Sequence, residues 1–290
     1  MPVSCPAASY TMPQMEVKEA RGLGVVTGAA QLACVLEASA EKPGNITPSH
    51  DFADTSYEDM LRSAIALGPE LGRAAERGVG ETVLAAVHAT QRVAGANTNL
   101  GIALLLAPLA RAALLGGPLR ERADEVLSAL TLDDARAAYA AIRTAGAGGL
   151  DEPVEHDVRD EPTLALRDAM AAAAERDSVA SEYATGYTLT FDVGLPALTR
   201  ALDAGLGPRP ATVELFLGLL AAVPDTLIAR KRGREAAEEV SAGAARVLAG
   251  EVSLEAFDAS LRLDGNALNP GTTADLVTAV LFVALLEGLL

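Results

Sequence analysis

Three short polar segments interrupt a chain that is otherwise rich in alanine, leucine and valine. Each lies beside an apolar run with helical character and combines a glycine with amide, hydroxyl or ammonium side chains. They are Glu37-Ala-Ser-Ala-Glu-Lys-Pro-Gly-Asn45, Gly95-Ala-Asn-Thr-Asn-Leu-Gly101 and Asn269-Pro-Gly-Thr-Thr-Ala-Asp275. The free N–H groups and the positive dipole end at the start of a helix attract anions. The segments therefore predict a site for an anionic ligand, although helix capping alone would also explain the second one.

The second segment leads directly into an apolar helix. Asn97 or Thr98 is expected to be the N-cap of that helix, which would leave its first backbone N–H groups free. The third segment has the same character, since Pro270 lies near the first helical position and Asp275 falls in the first turn.

Length, composition and charge limit the classes of function. The chain has 290 residues, of which 50% are hydrophobic and only 3% aromatic, with 39 acidic against 23 basic residues and a net charge of −16. Such a charge argues against a nucleic-acid partner, and the scarcity of lysine (Lys18, Lys42 and Lys231 only) suggests a surface adapted to high salt. No apolar run is long enough to span a bilayer and no signal peptide is recognisable, so we expect a soluble cytoplasmic protein without a membrane partner.

Other frequent sites are not indicated. Two cysteines, Cys5 and Cys34, form no disulfide or metal framework. Three scattered histidines do not suggest zinc, and the sequence has no P-loop, dinucleotide fingerprint or nucleophile elbow.

The pattern of apolar residues indicates helices throughout. Alanine and leucine favour helices, and no strand alternation appears. The sequence predicts an all-α fold, in which residues 1–14 form a disordered leader and residues 15–290 one helical domain of ten or more helices. A loose loop is expected at about 146–162. Ser56 should cap a helix that is interrupted near Gly68-Pro69, and Pro108 should kink a later one.

At the three polar segments the chain resembles the triphosphoribosyl-dephospho-CoA synthase family. A weaker fourth match is Asp225-Thr-Leu-Ile-Ala-Arg-Lys231. The first three occur in the family's order and at about its spacing, so the resemblance extends from Glu16 to the end of the chain. Two departures fall at expected substrate contacts: Asn99-Leu100 stands in place of His-Lys, and Gly271-Thr272-Thr273 in place of Gly-Gly-Ser.

The resemblance implies an enzyme that joins ATP to 3′-dephospho-CoA. In that reaction the 2′-hydroxyl of dephospho-CoA attacks C1′ of the ATP ribose and adenine leaves, which gives the precursor of the prosthetic group of citrate lyase and malonate decarboxylase. Two alternatives stay open: the same chemistry on another acceptor in a different cofactor pathway, and a helical nucleotide-binding protein without turnover. A homo-oligomer is also left open.

Displacement at C1′ passes through an oxocarbenium-like state and needs a base, an acid and neutralisation of the triphosphate. Glu37 is our candidate general base; the alternative is an ordinary exposed glutamate. Lys42 is expected to reach a phosphate; the alternative is a solvated lysine before a turn. His50 and Asp51, the other titratable pair on an ordered-looking loop, complete the catalytic candidates.

The remaining candidates are contacts to substrate or metal. The residues expected to bind the nucleotide or the acceptor are Ser39, Gly44, Asn45, Asn97, Thr98, Asn99, Arg230, Lys231, Asn269, Gly271, Thr272 and Thr273. Asp225 and Asp275 are either N-terminal capping residues or ligands of a Mg²⁺ ion carried by the triphosphate, since Mg²⁺ takes only one or two protein carboxylates.

Overall fold

A computed structural model describes residues 20–94, 99–146 and 158–290, and within these ranges the chain forms fourteen α-helices and one π-helical turn. The helices are α1 (Leu23–Ser39), α2 (Tyr57–Gly72), α3 (Val79–Gln91), α4 (Leu100–Leu115), α5 (Leu119–Ser128), α6 (Leu132–Ala145), α7 (Leu166–Ala171), α8 (Ser178–Thr185), α9 (Leu195–Asp203), α10 (Pro208–Ala222), α11 (Thr226–Arg232), α12 (Arg234–Leu248), α13 (Leu254–Leu261) and α14 (Gly271–Glu287). The π-helical turn is Leu189–Gly194. The described ranges contain no strand, and the all-α prediction is confirmed.

Two apolar helices, α4 and α14, form the centre of the core. Residues on every face of α14 are buried, and the helix packs against α1, α4, α10 and the π-helical turn. A helix that is apolar all round must be surrounded by protein. The core therefore fixes the positions of Leu100 and Gly271, where α4 and α14 begin.

Prolines inside two helices are accommodated by side chains from other helices. A proline leaves the carbonyl four residues earlier without its helical donor. In α2, which continues through Pro69, the Ile65 carbonyl accepts a bond from Gln31 Nε2 at 2.9 Å. The predicted interruption near Gly68-Pro69 is therefore wrong, because α1 supplies the missing donor.

The same arrangement occurs around Pro108 in α4. The hydroxyl of Tyr183 donates to the Leu104 carbonyl, and that of Tyr187 donates to the Leu105 carbonyl, both at 2.7 Å. Both tyrosines are completely buried. Two buried phenols thus satisfy the carbonyls around the proline in the middle of the core.

The starts of two helices bear on the predicted caps. Helix α4 begins at Leu100 with Asn99 at the N-cap position, while the predicted caps Asn97 and Thr98 lie outside the described residues. Ser56 caps α2 as predicted. Helix α8 ends at Thr185, and the chain continues into the π-helical turn, whose first N–H groups donate to the buried Glu182 carboxylate.

Two predicted segments cannot be compared with the structure. The leader at 1–14 and most of the loop at about 146–162 lie outside the described residues. Among the described helices, none alone has the length and apolar character to cross a bilayer. Two pairs of helices, each bent at a short break, have that length and apolar character when taken together: Leu100–Leu115 with Leu119–Ser128, and Pro208–Ala222 with Thr226–Arg232.

Candidate functional site

Four helix N-termini meet at one end of the core, those of α4, α8, α11 and α14. The hydroxyl of Thr226, at the start of α11, accepts a bond from Ser178 N at 3.3 Å and lies 3.2 Å from the hydroxyl of Thr272 on α14. An added Cβ on Gly101, in the first turn of α4, would lie 2.0 Å from Asp275 Oδ2. The N-terminal ends of four helices therefore lie close together, and the positive ends of their dipoles favour an anionic ligand nearby.

Asp225 connects two of these helices. Its Oδ1 accepts the Leu227 and Ile228 N–H groups at 2.9 and 3.0 Å, and its Oδ2 accepts the N–H and hydroxyl of Thr273 at 2.7 and 2.9 Å. Four donors use the accepting capacity of the carboxylate. Burial raises the pKa of Asp225, and the Thr273 and Ile228 N–H groups oppose that change. These contacts favour the capping role over the magnesium role, the two alternatives that the sequence left open.

Glu37 and Lys42 form a buried ion pair. Lys42 Nζ lies 3.1 Å from Glu37 Oε1 and also donates to the Glu37 carbonyl at 2.6 Å. The Lys42 side chain is 0% exposed and the Glu37 side chain 4%. Burial raises the pKa of Glu37, while the charge of Lys42 opposes it. Because both are buried, Glu37 is not an ordinary exposed glutamate and Lys42 is not a solvated lysine. The ammonium group closes the end of α1, and its expected contact with a phosphate stays a prediction.

The turn after Lys42 packs against the turn before α14. Gly44 has a positive φ of 75°, and an added Cβ would lie 2.9 Å from the Leu261 side chain and 3.1 Å from Pro270. Its N–H donates to Asp258 Oδ1 at 2.8 Å, while Asn45 Nδ2 approaches the Pro270 carbonyl at 3.5 Å. Position 44 therefore requires glycine, both for the positive φ and for the lack of a side chain. These contacts also show that the first and third polar segments touch each other.

Asp275 is the least satisfied acid of the site. None of the described residues donates a hydrogen bond to its carboxylate, which lies against the backbone of Gly101. Its pKa is raised well above the ordinary value, first by burial and then by the charges of Glu37, Asp225 and Asp177, while Arg230 opposes the change. A carboxyl group in this position is ready to take a proton or a cation.

Several other polar atoms of the site are buried, and no described residue forms a hydrogen bond with them. They include both side-chain polar atoms of Asn99, Oδ1 of Asn269 and Nε of Arg230. Asn99 is 2% exposed, so water does not replace the missing partners at its surface. Buried polar groups are ordinarily satisfied, and orphans that gather at one place indicate a ligand site.

Comparison with known proteins identifies the family of this chain. The sequence profile of the ATP:dephospho-CoA triphosphoribosyl transferase family matches residues 25–290. The chain belongs to this family. A crystal structure described as a triphosphoribosyl-dephospho-CoA synthase from Archaeoglobus fulgidus is similar, with a TM-score of 0.64 and 31% identity over 79% of this chain and 99% of the other.

Curated relatives match over a shorter length. A 2-(5″-triphosphoribosyl)-3′-dephosphocoenzyme-A synthase from Pectobacterium atrosepticum is 32% identical over 100 residues, 33% of this chain and 32% of that protein. A relative of the same description from Pseudomonas syringae pv. tomato is 33% identical over 108 residues, 35% of this chain and 37% of that protein. The aligned part of the chain thus spans about a third of the length of these relatives.

In this family member, the structure does not bring every predicted residue to the four helix starts. His50 and Asp51 are exposed, and Asp51 accepts the N–H of Tyr57 at 2.7 Å. The Ser39 hydroxyl pairs with that of Tyr57 and borders a separate cleft of about 610 Å³. Lys231 is exposed, and its Nζ lies 3.4 Å from the Asn266 carbonyl. Gly271, Thr272 and Thr273 lie at the start of α14, whereas Asn97 and Thr98 lie outside the described residues.

The described side chains do not form a preassembled metal centre. No group of three or more histidine, cysteine, aspartate or glutamate residues among them has suitable geometry. Asp275 fits a Mg²⁺ ion carried by a polyphosphate, because its oxygens have no donor in the described part of the chain and such an ion needs few protein ligands. Asp225 fits poorly, because four donors already occupy it.

The sequence reasoning missed Asp177. This residue caps α8 and forms an ion pair with Arg230, and its charge contributes to the raised pKa of Asp275. The available signal was an aspartate directly before Ser178 at a predicted helix start, which indicates a cap and nothing more.

Proposed function

We propose that this chain transfers the 5-triphosphoribosyl group of ATP to the 2′-hydroxyl of 3′-dephospho-CoA with release of adenine. The observation that carries the proposal is the meeting of four helix N-termini around Asp275. The contacts that join α4, α11 and α14 come from the segments that resemble the family, and Ser178 adds the start of α8. Membership in the family supplies the two substrates, and the arrangement of dipoles and orphaned polar groups suits a triphosphate.

The reaction forms one bond and breaks one at C1′ of the ATP ribose. The O2′ atom of the acceptor bonds to C1′, the bond from C1′ to the adenine nitrogen breaks, and that nitrogen keeps the electron pair. The hydroxyl proton must go to a base, and the departing adenine takes up a proton. Positive charge develops at the ribose in the transition state, so carboxylates close to C1′ lower the barrier.

Glu37 is our proposed base for the acceptor hydroxyl. Burial raises the pKa of Glu37, which makes its carboxylate a stronger base, while the charge of Lys42 opposes this rise. The ion pair with Lys42 also fixes the position of the carboxylate. Glu37→Gln is expected to lower kcat by about 10²–10⁴, the range for loss of a general base, while ATP binding remains.

Asp275 is our proposed protein ligand for Mg²⁺ that arrives with ATP. The ion, when bound, would offset the negative charge of the triphosphate near Glu37 and Asp275. Nε of Arg230 and Nδ2 of Asn99, which have no partner among the described residues, would donate to phosphate or ribose oxygens, and Oδ1 of Asn269 would accept from a ribose hydroxyl. Arg230 provides the cation for the phosphates, because Lys42 already neutralises Glu37.

The proposal is tested by measuring adenine release from ATP by the protein in molar salt, with and without dephospho-CoA. Adenine released only with dephospho-CoA, together with a product that contains both molecules, is the expected result. Failure to release adenine with dephospho-CoA, while ATP still binds, contradicts the proposed acceptor or the proposed turnover.

A second candidate is the same transfer to another acceptor. It is favoured by Asn99, whose buried amide replaces the family's usual histidine and has no partner of its own. A neutral amide offers one donor group and one acceptor where an imidazole could carry charge. Adenine release with a different nucleoside or phosphopantetheine acceptor, and none with dephospho-CoA, would establish this candidate.

A further inference from the structure

Asp177 uses its two carboxylate oxygens for different purposes. Its Oδ1 accepts the Val179 and Ala180 N–H groups at 2.8 and 3.1 Å, which caps α8. Its Oδ2 accepts a hydrogen bond from Nη1 of Arg230 on α11. The cap needs only the first oxygen, so the second one and the negative charge are available for a different role.

The guanidinium group of Arg230 lies within electrostatic reach of both Asp177 and Asp275. Its positive charge opposes the rise in the pKa of Asp275, to which the charge of Asp177 contributes. The side chains of Arg230 and Asp177 are 26% and 28% exposed. Nε of Arg230 is buried without a partner, and Nη2 forms no hydrogen bond with a described residue.

Nε and Nη2 form one edge of the guanidinium plane, with two roughly parallel N–H groups at the spacing of two phosphate oxygens. Arginine has many rotamers, and holding it in one of them lowers the entropy lost when a ligand binds. In this site an unrestrained Arg230 would also be attracted to the Asp275 carboxylate. The hydrogen bond that Nη1 donates to Asp177 fixes the guanidinium plane of Arg230 and leaves its Nε–Nη2 edge available for a ligand.

We propose that Asp177 is a positioning residue, which holds Arg230 so that its Nε–Nη2 edge binds the triphosphate of ATP. The inference rests on the proposed function, and it adds a residue outside the segments that resemble the family. Asp177 acts only through Arg230 and does not itself contact the substrate.

The test uses Asp177→Asn in the full-length protein, because asparagine caps helices as well as aspartate but lacks the charge. We expect the KM for ATP to rise about tenfold, since charge-assisted hydrogen bonds are the stronger ones. We also expect kcat to change by less than about threefold and the KM for the acceptor to stay the same. Asp177→Ser, which keeps a capping oxygen but cannot reach Arg230, should behave in the same way and replaces Asp177→Asn if that variant does not fold.

A double-mutant cycle separates positioning from a structural role. Arg230→Gln should raise the KM for ATP by at least as much as Asp177→Asn, and the double variant should equal Arg230→Gln alone. Asp133→Asn is the matched control, because it removes an Asp–Arg pair with Arg136 at the start of α6. The control should leave both kinetic constants unchanged.

Three outcomes overturn the inference. The first is a wild-type KM for ATP in Asp177→Asn, and the second is full additivity in the double variant. The third is a wild-type protein that does not bind ATP, which removes both proposals.

A wild-type protein that binds ATP without releasing adenine would contradict the proposed function alone. The same comparison of variants is then made on the Kd for ATP.

Discussion

Replacing Gly101 with alanine should reveal how closely α4 and α14 approach each other at the site. The added Cβ would lie 2.0 Å from Oδ2, 2.6 Å from Cγ and 3.3 Å from Cβ of Asp275. The carboxylate must therefore rotate or the two helix starts must separate. Overpacking of this kind costs about 1–3 kcal/mol, whereas exchanging glycine for alanine in a helix gains up to about 1 kcal/mol. We expect a net loss of about 1–2 kcal/mol in the free energy of unfolding.

This loss of stability should depend on the Asp275 side chain. Asp275→Ala removes the atoms at 2.0 and 2.6 Å and leaves only the Cβ contact at 3.3 Å. In that background Gly101→Ala should be neutral or should stabilise the protein by up to about 1 kcal/mol, a coupling of about 2 kcal/mol. Gly28→Ala in α1 is the matched control, because its added Cβ would meet no atom within 4 Å, and it should be stabilising.

The assay is urea unfolding of the four proteins of the cycle, with the midpoints compared at a constant m-value. Gly101→Ala should also lower the rate of adenine release, because it displaces the Asp275 carboxylate. An equal effect of Gly101→Ala in both backgrounds would refute the close approach of these two helix starts.

Three further predictions concern the acids and the core. Asp275→Asn should weaken magnesium-dependent ATP binding with little loss of melting temperature. Asp225→Asn, which disturbs four hydrogen bonds, should lower the free energy of unfolding by about 2–4 kcal/mol without changing the magnesium dependence, and the reverse pattern in the two variants would contradict these roles. The raised pKa of Asp275 means that the folded state binds more protons than the unfolded state above about pH 4, so stability should fall as pH rises through the raised pKa. Urea unfolding at a series of pH values should show that the free energy of unfolding depends less on pH in Asp275→Asn than in the wild type. An unchanged pH dependence would count against the raised pKa of Asp275. Tyr183→Phe should cost about 1–3 kcal/mol by leaving the Leu104 carbonyl unpaired. In the Pro108→Ala background, where the helical donor is restored, Tyr183→Phe should lower the free energy of unfolding by less. An equal loss in both backgrounds would exclude this explanation.

The sequence determined the helical class and the composition of much of the site. Alanine and leucine at helical spacing are local signals, and caps such as Ser56 act within three residues, so both can be recognised without the fold. The Pro-Gly-Asn, Asn-Thr-Asn and Asn-Pro-Gly segments were recognisable as polar interruptions of an apolar helical chain. The first follows an apolar helix and the other two precede one, which suggested that they serve one ligand.

The tertiary structure decided which contacts those residues make. Lys42 turns inward to Glu37 instead of toward solvent, because the buried carboxylate and carbonyl are its nearest acceptors. Asp225 joins α11 to α14 across 48 positions, and Asp177 meets Arg230 across 53. Local sequence patterns reflect contacts over about four residues, whereas these pairs depend on how the helices pack. For the same reason Pro69 does not end α2: its missing donor is replaced by Gln31 of another helix, 34 positions before the carbonyl that it satisfies.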